Sequence, residues 1–125
     1  MNNLLRLHEG VAQIVTDDPW TLVREPVLAS ASGLLILPLI HWLERPSTHA
    51  VWLGPDDDAE SLVPWLASLP LIALDFPSFR DGRAYSQAYL LRSRFGWTGE
   101  LRAIGDVLRD QLSHMRQCGF DAFAV

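Results

Sequence analysis

From His49 onward the chain alternates short apolar runs with amphipathic stretches, and this rhythm limits the fold more than any other feature of its 125 residues. HAVWLG (49–54), LIALDF (71–76), LRAIG (101–105) and DAFAV (121–125) read as strands. LIALDF is apolar enough to be buried on both faces. Helical patterns fill the gaps. PDDDAESLVPWLASLP places Asp56 to Asp58 and Glu60 where negative charge complements a helix start, and Pro64 is expected to kink that helix or confine it to a turn or two. Those acids lack the spaced ligands and the glycine of a calcium loop. In the stretch 82–95, Ala84, Ala88, Leu91 and Phe95 form one inward stripe, and Gly96 suits the residue after a helix. Asp106 reads as the cap of a third helix with Leu108, Leu112 and Met115 inward, and Gly119 ends it. Strand–helix–strand repeated three times predicts right-handed parallel crossovers. The expected fold is α/β: a small parallel sheet of about four strands, half-barrel-like or open and doubly wound. Residues 1–125 are read as one α/β domain, with 48–125 as its core and 1–47 as a less regular segment lying across it.

That first segment is harder to read. VAQIV (11–15) alternates loosely as a strand would, and Asp17, Asp18 and Pro19 mark a turn. Trp20, Leu22 and Val23 are expected to pack back onto the body. LLILPLIHWLER fits either a buried strand followed by a helical turn or a helix bent at Pro38, with Arg45, Pro46 and Ser47 as a link. His41 within it has no second ligand at helical spacing and reads as a packed side chain.

Charge narrows the partners. Residues 1–75 carry three arginines against ten acids, residues 76–125 carry seven against five, and lysine is absent. A net charge of −5 argues against nucleic acid. The longest apolar run is far too short to span a bilayer, and the N-terminus does not resemble a signal peptide, so a cytoplasmic location without membrane contact is expected. The lone Cys118 excludes an internal disulfide and any multi-cysteine cluster within one chain. No G-x-G-x-x-G or Walker pattern occurs, and neither a cofactor nor a metal is expected.

In a parallel sheet the strand-to-helix turns emerge on one edge. That edge would collect Asp75, Ser78, Arg80, Asp81, Arg83, Gly105, Asp106 and Arg109. The candidate anion or partner site is Arg80, Asp81, Gly82, Arg83, Ser86, Asp106 and Arg109: guanidinium clamps, free helix-start N–H groups, and a glycine allowing close approach. The plainer alternative is that the aspartates cap helices and the arginines pair with them. Catalytic residues are not identifiable. Ser86 has no local base, and Cys118 falls at a helix end where the dipole disfavours a thiolate.

The run DFPSFRDGRAYSQAYLLRSRFGWTGELRAIGDVLRDQLSHMRQCGFDAF resembles the bacterial domain-of-unknown-function family nine-three-four, over residues 71–123. The signature is DGR-x-YS, LR-x-R-x-G, GELRA-x-GDVLRDQ and CGFD. It includes Asp81, Gly82, Arg83, Ser86, Arg92, Arg102, Asp106, Arg109, Cys118 and Asp121. The resemblance implies genes beside assimilatory sulfite reductase and a label of probable oxidoreductase, with no catalytic role for any residue. It therefore implies an accessory protein with sulfite reductase as its partner. The alternative is a small enzyme or anion-binding module acting on sulfite or another oxyanion. Relatives continue past the CGFD strand, whereas this chain stops at Val125, so the last strand is expected to lie bare at an edge or under a second subunit, as a homodimer.

Overall fold

The computed structural model describes residues 4–8, 11–24, 33–44 and 48–124, so the link expected at Arg45, Pro46 and Ser47 lies outside them. Eight strands are present: β1 (Leu4–His8), β2 (Val11–Val15), β3 (Trp20–Leu22), β4 (Leu34–Pro38), β5 (Ala50–Leu53), β6 (Leu71–Phe76), β7 (Glu100–Gly105) and β8 (Ala122–Ala124). They form one sheet in the order β2-β1-β8-β7-β6-β5-β4-β3. From β3 to β8 every neighbouring pair is parallel, and the β1–β2 hairpin adds antiparallel to β8.

The class is α/β, as expected, but the sheet of about four strands is corrected to eight. β5 to β8 are the strands the sequence rhythm marks. The N-terminal segment read as irregular supplies β1 to β4 in its described part. β2 is exposed along almost its whole length, so it lacks the half-buried alternation from which a strand is recognised. The last strand is not bare: Leu4, Leu5 and Arg6 pair with Ala124, Phe123 and Ala122.

LLILPLIHWLER resolves as strand then helix. Pro38 closes β4, and helix α1 runs Leu39–Glu44. A 3₁₀ helix follows β5 at Ala59–Trp65, capped by Asp58, whose carboxylate accepts the Glu60 N–H at 2.9 Å. Helix α2 (Arg83–Tyr89) passes into a π-turn over Leu90–Arg94. Helix α3 (Leu112–Gln117) is led in by a 3₁₀ turn at Arg109–Gln111. The expected helix stripe holds for Ala84, Ala88 and Leu91, with Phe95 half-buried. On α3 only Met115 of the expected three is fully buried.

Alternation sorts the sheet into two faces. One face, with Leu35, Leu37, Val51, Leu53, Ile72, Leu74, Leu101 and Phe123, packs against all the helices. The other carries a smaller cluster of Ile36, Ala50, Leu71, Ala73 and Ile104, with Trp20 and Trp52 against it, and no helix of the described residues covers it. Helices on one face only, over strands in chain order, give the half-barrel rather than the doubly wound alternative. The curl is also demanded by chain length. Laid flat, eight strands spaced about 4.8 Å apart would hold β2 and β3 roughly 34 Å from each other. The chain from Val15 to Trp20 spans at most about 19 Å, so the two edges are drawn together across the inner face.

Candidate functional site

The turns after β5, β6 and β7 meet at one edge, and they do so through named contacts. Asp106 Oδ2 accepts the Phe79 N–H at 2.9 Å, and Gln111 Nε2 donates to the Phe79 carbonyl at 3.1 Å. The β6–α2 turn therefore sits against the β7–α3 turn. On its other side, Arg83 reaches Asp56 in the β5 turn at 2.8 Å. Arg83 and Asp106 thus share an edge, as the parallel arrangement predicts.

What the edge does with its charges differs from the simplest expectation. Asp106 does not cap the following helix, which begins after Leu108 with no side-chain cap; it holds the neighbouring turn instead. Asp81 accepts the Arg83 backbone N–H at 3.0 Å and grips the Arg83 guanidinium at 2.6 Å. That grip lowers the Asp81 pKa to about 2 and raises that of Arg83. Asp81 takes its Nε and Nη2 and Asp56 its Nη1, so each guanidinium nitrogen of Arg83 has a carboxylate on it. Arg80 instead stacks over the Phe79 ring at 5.4 Å, and both side chains are exposed. Arg109, Gly82 and Ser86 are also exposed, and neither Arg80 nor Arg109 has an ion-pair partner among the described residues. Asp75 lies at the same end of its strand but faces inward, away from this outer edge.

The inner face holds the charges that sequence reasoning missed. Trp52, Ala73, Arg102, Ala122 and Arg6 stand in one row across the sheet. Two alanines flank Arg102 and leave room for its guanidinium, which is only 5% exposed. Asp18, from the segment joining β2 to β3, takes it with two bonds of 3.0 Å. Glu100 takes Nε at 2.8 Å and is itself held by Arg6 at 2.8 Å. Burial alone would lower the Arg102 pKa, but the two carboxylates outweigh it and raise it. Nearer the edge, Arg24 pairs with Asp75 at 2.9 Å and lies over Trp52. The available signal was small: an arginine at an inward position of LRAIG, and an aspartate at an inward position of LIALDF.

Two further motif residues are structural. Arg92 donates to the carbonyls of Gly119, Trp97 and Gly99 at 2.8–3.0 Å, fastening the end of α2 to both flanking turns. Cys118 Sγ lies 4.0 Å from His114 Nε2, and the His114 ring stacks on Tyr85. Among the described residues no group of three His, Cys, Asp or Glu side chains is placed to hold a metal ion, and no helix is long and apolar enough to cross a membrane.

Fold and edge together define a curled, mostly parallel α/β sheet with a charged edge at the carboxyl ends of its parallel strands. The chain belongs to the family described as bacterial protein of unknown function (DUF934), whose sequence profile matches residues 50–125. That span runs from β5 to the end of β8 and so contains the whole outer edge. No curated protein and no solved structure matches the chain.

Proposed function

We propose that this chain is a non-catalytic accessory protein of assimilatory sulfite reduction, docking on the reductase through the edge built by the turns after β5, β6 and β7. The observation that carries this reading is the state of Arg83. Its guanidinium is occupied by Asp81 and Asp56, so the strongest expected clamp for a small anion is already closed. What protrudes is Phe79, 37% exposed, with Arg80 laid over its ring. An aromatic and an arginine presented together on a braced turn suit a protein partner, for such residues supply much of the energy at interfaces. In this reading Arg80 and Arg109 contact the partner. Asp81, Gly82, Arg83 and Asp106 set the shape of the surface, and Ser86 lies beside it. The link to sulfite reduction rests on the family resemblance.

A second reading is favoured by one observation: Arg80 and Arg109 lack carboxylate partners among the described residues, which leaves two cations for sulfite or another oxyanion. One experiment separates the two. The tagged protein is isolated from native lysate, and a deletion strain is grown on sulfate and on cysteine. The accessory reading expects the reductase hemoprotein to co-purify with wild type but not with Phe79→Ala/Arg80→Ala, and poor growth on sulfate alone. Equal growth on both sulfur sources removes the assignment to sulfur metabolism.

A further inference from the structure

The inner-face pair of Arg24 and Asp75 has a feature that an ordinary ion pair does not need. Asp75 is 8% exposed, and its Oδ1 lies 2.9 Å from Arg24 Nη2 but in line with no N–H, while no other donor among the described residues reaches that oxygen. A buried carboxylate oxygen in this state has unused accepting capacity. The same Arg24 guanidinium lies over the Trp52 ring, its central carbon 4.9 Å from the ring centroid. The ring is pinned, since its indole N–H donates to the Val23 carbonyl at 2.9 Å. Gly105, at φ 89°, leaves open the space the carboxylate uses, because a Cβ there would come within 2.5 Å of Asp75 Oδ1. Asp75, Gly105 and Arg24 all stand at or just beyond the carboxyl ends of β6, β7 and β3, the end at which α/β sheets hold ligands.

We propose that Asp75 and Trp52 form a socket for the guanidinium group of a ligand, and that Arg24 is its built-in occupant, displaced when the ligand enters. An aromatic face combined with a carboxylate matches a planar cation, which stacks on the one and donates to the other. The Arg24 side chain is 43% exposed, so it moves to solvent at little cost, whereas the socket walls are fixed. The socket lies on the inner face and is independent of the outer-edge reading. A free guanidinium compound and an arginine on another protein offer the same group.

The test follows the Trp52 indole N–H resonance while agmatine, or arginine capped at both ends as a peptide unit, is titrated. In Arg24→Ala the resonance is expected to shift saturably. In wild type the same shift needs roughly tenfold more ligand, because Arg24 competes from within the chain. Adding Asp75→Asn to Arg24→Ala abolishes it. The other indole resonances report that each variant is folded, and Arg24→Gln replaces Arg24→Ala if the latter is not. Tighter binding of agmatine identifies a free cation, and tighter binding of capped arginine identifies a protein side chain. A folded Arg24 variant that shows no saturable shift, or one that Asp75→Asn leaves unchanged, overturns the proposal.

Discussion

Arg102 shows how one side chain can set the terms for a whole face. Its guanidinium is withdrawn from water in the middle of β7, and the desolvation is offset only because Asp18 and Glu100 complete its donors. Replacing it by alanine strands Asp18 and leaves Glu100 to Arg6 alone, and Arg102→Ala is expected to lose about 3–5 kcal/mol in urea unfolding. Removing Asp18 and Glu100 as well should recover part of that loss, since the charge then left unpaired is that of Arg6, whose side chain is 41% exposed. Asp81 behaves differently, being at the outer edge and paired with an arginine that is itself half-exposed. Its folded pKa of about 2 lies below the ordinary 3.8, so its contribution is complete above the ordinary value and fades as pH falls toward 2. Wild type and Asp81→Asn should therefore differ in thermal stability at pH 7 and converge near pH 2. The sequence exposed the Asp81–Arg83 pairing as an alternative because the partners are two residues apart. Asp18 and Arg102 are 84 residues apart, and only the curl brings them together.

Among the elements, the join of α2 to its neighbours depends on the π-turn at Leu90–Arg94. There the Phe95 N–H reaches back to the Leu90 carbonyl, and the helix ends with Leu91 inward and Arg92 fastened to Gly119. Gly119, at φ 105°, has no room for a Cβ, which would come 2.8 Å from Arg92 Cγ. Gly119→Ala is thus strained in both backbone and contact. Arg92→Ala leaves three carbonyls without their donor, and a loss of about 1–3 kcal/mol is expected in denaturant unfolding. Arg92→Lys should restore only part of it, for an ammonium cannot span the same fork. β5 to β8 were legible because each is a short apolar run bounded by turn residues. β1 and β3 were not, since LLRLH and WTL are too short to display a period and draw their definition from strands distant in sequence.

At the scale of the molecule, the half-barrel was one of two forms open to the sequence, and the deciding information lay in a short connection. The segment from Val15 to Trp20 cannot cross a flat sheet, so it binds the two edges together, and Asp18 anchors it to the inner face. Asp18→Ala should therefore raise amide exchange in β2 and β3 well before β6 and β7, whose strands are buried on both faces. The outer edge was legible as a place, because parallel strands deliver their turns to one end. The link between its turns was not, since Asp56 and Arg83 are 27 residues apart and come from different turns. Calorimetric titration of the purified chain, against sulfite reductase hemoprotein and separately against sodium sulfite, tests the proposed role most directly. Saturable heat with the hemoprotein, lost in Phe79→Ala/Arg80→Ala, and none with sulfite alone is the expected result. Saturable binding of sulfite with no heat from the hemoprotein would contradict the account.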